Sequence, residues 1–118
     1  VGGNLSQGRT AAAEAFARRS GAVVVLKGPG TVVAGPDGRC RVNTTGNCGM
    51  AKGGSGDVLS GVVLALLGLG MDAFDACCCA VWLHGRAGDL AAQEKGQWGM
   101  TPTDLLERLP QALREVTE

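Results

Sequence analysis

The chain has 118 residues, and its eleven basic and eleven acidic side chains give a formal net charge of zero. This length fits one domain, residues 1–118, that buries about two-thirds of its unfolded surface, and the balanced charge argues against nucleic acid as a partner. The longest apolar run, residues 62–67, is too short to span a bilayer. Five cysteines without a disulfide or C-x-x-C pattern indicate a reducing compartment, so we expect a cytoplasmic protein without nucleic-acid or membrane partners.

Helix and strand patterns alternate along the first half of the chain. An Ala-rich segment predicts a helix over residues 7–19, and β-branched side chains predict a strand over residues 22–27 that is buried on both faces, as in a parallel sheet. Glycines and a proline interrupt this strand, which resumes over residues 31–34. A Pro-Asp-Gly turn then predicts a β-hairpin whose second strand is formed by residues 39–43.

Three helices are predicted in the second half of the chain. Residues 57–69 are almost wholly apolar, so we expect this helix to be sandwiched between two layers. Residues 75–93 predict a second long helix, and the Thr-Pro-Thr-Asp sequence of residues 101–104 predicts the cap of a third, which Pro110 breaks or kinks. Together the elements predict an α/β domain.

A glycine-dense turn precedes the apolar helix and is the most informative feature of the sequence. It runs through Gly53, Gly54, Ser55 and Gly56 into Asp57. Glycines let an anion approach the backbone closely, and N–H groups at a helix start bind phosphate, so we interpret these four residues as an anion hole. A carboxylate is a poor neighbour for a phosphate, which favours Asp57 as a general base for an attacking hydroxyl. An Asp at a helix start is also commonly a mildly stabilising residue.

Two better-known phosphate-binding motifs do not match this sequence. A P-loop has a hydroxyl residue after its lysine, whereas residues 46–53, GNCGMAKG, place a glycine there. A dinucleotide fingerprint needs G-x-G-x-x-G between a strand and a helix, but residues 54–56 lack the third glycine and residues 68–73 follow a helix. Neither motif explains the turn.

Three segments in this order, KGPGTVVAGPDG, NTTGNCGMAKGGSGDVLSG and LHGRAGD, carry a family resemblance. They resemble the carboxy-terminal half of the NAD(P)H-hydrate dehydratases, metabolite-repair enzymes with a ribokinase-like fold, a three-layer α/β sandwich. The resemblance implies that hydrated NADH or NADPH loses water while ADP or ATP, with Mg²⁺, is hydrolysed to AMP or ADP. The implied course is phosphorylation of the nicotinamide-ring hydroxyl and then elimination of phosphate. The GNCGMA segment resembles the bacterial branch and favours ADP over ATP.

The resemblance also implies roles for individual residues. Gly56 corresponds to a nucleotide contact, and Asp57 to the catalytic residue that faces the hydrated nicotinamide. The family's adenylate-binding turn corresponds to Lys27, Gly28, Pro29, Gly30 and Thr31. Lys27 offers a positive charge and Thr31 a hydroxyl to a phosphate or ribose, although without the resemblance a solvated lysine and an ordinary strand threonine would be the better interpretations. No residue is assigned to a metal.

Four further residues are given no catalytic role. Where the family commonly has Pro and a small or hydroxylated residue, this chain has Cys48 and Lys52, which predicts a more mobile and more basic loop. His84, the only histidine, is interpreted as a structural residue. Asp89 is interpreted as a solvated helix charge.

The strands of the first half of the family's fold have no counterpart in this sequence. We therefore expect exposed sheet edges that make the chain self-associate as a homo-oligomer, and a site that a preceding segment or another chain completes. Two other functions stay open. One is a ribokinase-like kinase of a small molecule such as a vitamin precursor, and the other is a nucleotide-binding module without catalysis.

Overall fold

The computed structural model describes residues 2–28, 30–46 and 55–117, with side chains for residues 8–28, 30–46 and 56–115. Within these ranges the chain forms four helices and three strands. In chain order they are α1 Gly2–Ser20, β1 Val24–Leu26, β2 Val32–Ala34, β3 Cys40–Val42, α2 Ser55–Gly68, α3 Ala73–Lys95 and α4 Pro102–Thr117. All four predicted helices are confirmed. None of the helices in the described ranges has the length and apolar character needed to cross a membrane.

The three strands form one antiparallel sheet in the order β1-β2-β3. Val25 pairs with Val33, which pairs on its other side with Arg41. The expected parallel sheet is therefore wrong for these strands, because residues 31–34 do not resume β1 but turn back and pair with it. The reversal passes through Gly30, whose φ of 65° lies in the left-handed region that side chains disfavour. The predicted hairpin of β2 and β3 is confirmed.

Helix α1 covers one face of the sheet through small side chains. Ala13 and Ala17 are buried against Val32 and Ala34 of β2. β2 is buried along its whole length, since it is the central strand. β1, which we expected to be buried on both faces, is only half-buried because it lies at the sheet edge.

Helix α3 joins the sheet to the other helices. One buried cluster contains its Leu83 together with Leu105 of α4. A second cluster contains its Val81 together with Val33 of the sheet and Leu59 of α2. Because both clusters lie on α3, this helix sets the position of α2 relative to the sheet.

Helix α2 is covered on one side only in the described part of the chain. Leu59 is 8% exposed, whereas Leu64 and Leu67 are 69% and 40% exposed. The expectation of a helix sandwiched between two layers is therefore wrong for these residues by themselves. The outward face of α2 is an open apolar surface.

The ends of α4 follow the sequence signals only in part. Thr101 and Asp104 form the predicted reciprocal cap, in which Asp104 Oδ2 accepts from the Thr101 N–H at 2.8 Å and Thr101 Oγ1 accepts from the Asp104 N–H at 3.2 Å. Of the break or kink expected at Pro110, the break is wrong, because the helix continues to Thr117. Pro110 and Leu106, whose carbonyl lacks its usual helical partner, are both exposed, so solvent can satisfy that carbonyl.

Candidate functional site

The structure brings two predicted site segments together at the start of α2. Lys27 follows the end of β1, and Gly56 and Asp57 lie in the first turn of α2. A Cβ atom added to Gly56 would lie 3.0 Å from Lys27 Nζ, so the lysine ammonium rests against the α2 backbone. The ammonium and the positive end of the helix dipole therefore act at one point, an arrangement that suits an anion.

Asp57 is the acidic residue of this first turn, and its side chain is exposed. Its carboxylate lies next in sequence to the glycine that the lysine approaches. A substrate hydroxyl can therefore reach Asp57 while a phosphate occupies the start of the helix. This pairing of a phosphate site with an accessible base is what phosphoryl transfer to a hydroxyl requires.

Gly56 lies beside the Lys27 ammonium, and it is this contact, not the backbone angle, that distinguishes the position. It lies within α2, and its φ is not among the positive values found in the described glycines. A side chain at this position would instead compete with Lys27 Nζ for space. The glycine thus lets the positive charge approach the helix start.

The turn after β1 contains two glycines with positive φ, 144° at Gly28 and 65° at Gly30. Thr31 Oγ1 donates a hydrogen bond to the Gly28 carbonyl oxygen at 3.1 Å and so closes the turn. Because its proton is used within the turn, the Thr31 hydroxyl can offer a ligand only an acceptor lone pair in this arrangement.

Arg9 of α1 is a residue of this region that the sequence did not indicate. Its Nη2 atom donates to the carbonyl oxygens of Leu26 at 3.3 Å and Lys27 at 3.1 Å. A Cβ atom on Gly28 would lie 2.8 Å from the same nitrogen. Arg9 therefore fixes the end of β1 from which Lys27 projects. Because Arg9 lies on a helix with other basic residues, the sequence did not distinguish it as the one that contacts β1.

Several predicted residues lie outside the described part of the chain. They are Pro29, Gly53 and Gly54 of the predicted site, together with Cys48 and Lys52. Ser55 begins α2, but its side chain is also outside the described set. The predicted anion hole is thus represented by Gly56 and by the backbone of Ser55.

A second group of contacts ties the segment before the glycine-rich turn to α3. Thr45 Oγ1 donates to the Trp82 carbonyl oxygen at 3.1 Å, and the Gly46 N–H donates to Asp89 Oδ2 at 3.0 Å. The interpretation of Asp89 as a solvated helix charge is therefore wrong. Its carboxylate belongs to a half-buried residue and accepts a hydrogen bond from a backbone group 43 positions away.

The cysteines of α3 do not form part of the site. Cys77, Cys78 and Cys79 are free and half-buried, and burial raises the pKa of each thiol. A raised pKa keeps a thiol protonated and weakly nucleophilic, which agrees with a packing role. Cys78 and Cys79 border an open cavity of about 430 Å³ that Arg41 and Trp82 also line and that contains none of the predicted site residues.

A metal site needs several ligating side chains that converge on one point. In these ranges no group of three or more His, Cys, Asp or Glu side chains is arranged to hold a metal ion. His84, interpreted as structural, is half-buried within α3. The described residues therefore offer an anion site with an adjacent base, and no built cation site.

A family model and curated proteins from several organisms match the sequence. Residues 1–111 match the family model described as NAD(P)H-hydrate dehydratase. The bifunctional NAD(P)H-hydrate repair enzyme Nnr of Thermofilum pendens is 51% identical over 110 residues, which are 93% of this chain and 21% of that protein. The ADP-dependent (S)-NAD(P)H-hydrate dehydratase of Neisseria meningitidis is 48% identical over 88 residues, which are 75% of this chain and 30% of that protein. The chain thus spans well under half the length of both relatives.

A solved structure is also similar. The crystal structure of the ADP/ATP-dependent NAD(P)H-hydrate dehydratase from Bacillus subtilis, co-crystallised with ATP and Mg²⁺, aligns with a TM-score of 0.88 and 38% sequence identity. The alignment covers 94% of this chain and 40% of the Bacillus chain. It confirms the predicted ribokinase-like α/β fold for the part of that fold that this chain spans.

Proposed function

We propose that this chain, which belongs to the NAD(P)H-hydrate dehydratase family, forms the nucleotide-binding and proton-accepting part of a site that converts hydrated NADH or NADPH back to NADH or NADPH. One observation carries the proposal. The Lys27 ammonium lies against Gly56 at the start of α2, and the next residue is Asp57. A phosphate site and a candidate general base are therefore adjacent.

The phosphoryl donor in this proposal is ADP or ATP. Its terminal phosphates lie at the start of α2, where backbone N–H groups lack intrahelical partners and Lys27 adds a positive charge. Its adenylate part lies on the turn of residues 27–31. We propose ADP as the preferred donor because the Neisseria relative is named ADP-dependent. We propose that Mg²⁺ would bind together with the nucleotide, on its phosphates, and would offset their negative charge during phosphoryl transfer.

Asp57 accepts the proton of the nicotinamide-ring hydroxyl while the hydroxyl oxygen attacks the terminal phosphorus atom. The bond between that phosphorus and the nucleotide oxygen breaks, so ADP leaves AMP and ATP leaves ADP. The phosphorylated hydrate then loses phosphate from one ring carbon and a proton from its neighbour, which restores the ring double bond. The oxygen lost from the ring ends in the phosphate, and the two protons lost, one from the hydroxyl through Asp57 and one from the ring carbon, pass to solvent.

The setting and assembly of the protein are part of the same proposal. Free thiols support a reducing compartment, so we place the protein in the cytoplasm. The exposed Leu64 and Leu67 on α2 support a homo-oligomer or coverage by another part of the domain. A net charge of zero supports the absence of nucleic-acid or anionic membrane partners.

The proposal is tested on the longest natural polypeptide that contains these residues. Hydrated NADH is incubated with Mg²⁺ and either ADP or ATP, the return of NADH is followed by its near-ultraviolet absorbance, and nucleotide cleavage by chromatography. NADH formed in step with nucleotide cleavage supports dehydration. Cleavage with a small-molecule acceptor but no return of NADH identifies a kinase. Nucleotide binding without either reaction identifies a non-catalytic module.

We expect Gly56→Val to weaken ADP binding by about 10-fold or more while the protein stays folded. The new side chain enters the space next to Lys27 Nζ, and because the end of a lysine is flexible, the ammonium moves away from the helix start. Calorimetry measures the affinity and circular dichroism the fold. Lys27→Met, which removes the charge but leaves Gly56 open, should lose a similar amount. Wild-type affinity in Gly56→Val would contradict the phosphate site.

A further inference from the structure

We propose that Arg9 of α1 is a positioning residue of the nucleotide site, which holds the backbone of Lys27 so that the lysine ammonium stays at the start of α2. Arg9 itself touches neither the phosphates nor the attacking hydroxyl in this arrangement. The inference rests on the proposed function, since it concerns the same phosphate site.

The place of Arg9 follows from the spacing of the sheet-facing residues of α1. Ala13 and Ala17 are buried against Val32 and Ala34 of β2, and residues four apart share one face of a helix. Arg9 precedes Ala13 by four residues and therefore lies on the same face, one turn nearer the start of the helix. Because the alanine side chains are small, α1 lies close to the sheet, and the long arginine side chain reaches the end of β1.

The guanidinium of Arg9 binds the backbone where the pairing of β1 with β2 ends. The last pair of this ladder is Leu26 with Val32, so Lys27 lies just beyond it. Arg9 Nη2 donates to the carbonyl oxygen of Leu26 at 3.3 Å and to that of Lys27 at 3.1 Å. A charged donor makes these hydrogen bonds stronger than neutral ones. Arg9 therefore extends the fixed part of β1 by one residue.

Gly28 leaves room for this contact. A Cβ atom on Gly28 would lie 2.8 Å from Arg9 Nη2 and 3.4 Å from Arg9 Cζ, so the guanidinium packs against the glycine backbone. The φ of Gly28 is 144°, a value that side chains rarely adopt. Arg9 thus contacts the residue on each side of Lys27 as well as Lys27 itself.

Lys27 joins this contact to the phosphate site on the other face of the sheet. Successive residues of a strand face opposite sides; Val32 packs in the cluster with α1, and Val33 packs in the cluster with α2. The carbonyl oxygen of Lys27 accepts from Arg9, whereas its Nζ lies 3.0 Å from the position of a Cβ on Gly56. One residue is therefore held by α1 through its backbone and meets α2 through its side chain.

A fixed backbone matters for this lysine because its side chain is long and the residue is exposed. A lysine side chain has many rotamers, and ordering it beside a phosphate costs conformational entropy. Fixing the backbone in advance restricts the positions that the ammonium can reach and lowers that cost. Loss of Arg9 should therefore weaken ADP binding through Lys27 and leave proton acceptance by Asp57 unchanged.

The experiment compares Arg9→Met with Arg18→Met in the longest natural polypeptide that contains these residues. Arg18 is exposed in the last turn of the same helix, so Arg18→Met removes the same charge but leaves the contact with Lys27 in place. We expect Arg9→Met to raise the Kd and KM for ADP about 5-fold, with kcat at saturating ADP within about 2-fold of wild type. Arg18→Met should match wild type in all three constants.

A double-mutant cycle tests whether Arg9 acts through Lys27. Lys27→Met keeps the backbone carbonyl that accepts from Arg9 but leaves no ammonium to position. Arg9→Met should therefore change the Kd for ADP by less than about 2-fold when it is made in the Lys27→Met protein. Equal losses in both backgrounds would show that Arg9 acts on the nucleotide independently of Lys27, which would overturn the inference.

Hydrogen exchange reads the same contact without nucleotide. The amides of residues 24–28 should exchange faster in Arg9→Met than in wild type and at the wild-type rate in Arg18→Met. Arg9→Lys keeps the charge but replaces the planar fork with a single point donor, so it should raise the Kd for ADP about 3-fold. If Arg9→Met does not fold, Arg9→Lys takes its place in every comparison, and wild-type constants in Arg9→Lys would then overturn the inference.

The outcomes separate this inference from the proposed function. Wild-type protein that binds ADP, with unchanged ADP constants in folded Arg9→Met, would overturn the positioning role and leave the proposed function in place. Unchanged amide exchange in folded Arg9→Met would also overturn the positioning role alone. Wild-type protein that binds no nucleotide would overturn the proposed function and this inference together.

Discussion

Replacing Asp57 with asparagine is expected to lower the rate of dehydration at saturating substrate by about 100-fold to 10,000-fold. Asparagine keeps the size and hydrogen-bonding reach of aspartate but cannot take up the proton of the attacking hydroxyl. Because Asp57 is exposed in the first turn of α2, the change removes no packing, and the Kd for ADP should stay near the wild-type value. The return of NADH gives kcat, and calorimetry gives the Kd.

Asp75 provides a matched control for Asp57. It is also an exposed aspartate in the first turn of a helix, α3, and its ion pair with Arg39 is long, at 3.8 Å. Such exposed pairs contribute little, so Asp75→Asn should leave kcat and Kd unchanged. Unchanged turnover in Asp57→Asn would remove this residue from proton transfer, and a parallel loss of ADP affinity would make it a binding residue.

The start of α2 is the part of the site that could be predicted best. A glycine cluster followed by an Asp and an apolar run indicates a helix start with open N–H groups, and α2 begins at Ser55 against a predicted start at residue 57. The contact between Lys27 and Gly56 joins segments that are distant in sequence. Composition and spacing did not predict it, and only the family resemblance placed both residues on one nucleotide.

The direction of the sheet could not be predicted from local pattern. A β-branched run has the same composition in a buried parallel strand as in an edge strand with a helix on one face. Here Ala13 and Ala17 of α1 help to cover the sheet, and Gly30 reverses the chain after β1. Both facts depend on tertiary packing and on one backbone angle.

Gly85 and Asp89 differ in how much the sequence says about them. A glycine inside a helix costs about 0.5–1 kcal/mol relative to alanine, so Gly85 carries a signal of close backbone approach. A Cβ on Gly85 would lie 2.8 Å from the Cβ of Thr45, but the sequence does not identify Thr45 as the neighbour. Asp89 carries no such signal, because acidic side chains on helices are usually solvated.

The 118-residue chain by itself is expected to show little dehydratase activity. It corresponds to 40% of the Bacillus chain, and in the proposed site Lys27, Gly56 and Asp57 serve the nucleotide and the attacking hydroxyl, whereas other residues would have to hold the nicotinamide ring. Positioning of reactants lowers barriers by about 7 to 11 kcal/mol. When the nicotinamide ring is not held beside Asp57, the turnover rate should therefore be far too low for efficient repair.

The same chain should elute as a species larger than a monomer. Leu64 of α2 is 69% exposed, and β1 lies at an edge of the described sheet, where it can pair with another strand. Joining the chain to the rest of a dehydratase domain, of which it matches 40% in the Bacillus structure, should cover both surfaces and restore activity, measured as NADH formed per site. Leu64→Glu in the 118-residue chain should reduce self-association, measured by light scattering, without restoring activity. Full activity from a soluble monomer of this chain would instead show that its own residues are sufficient to hold the nicotinamide ring.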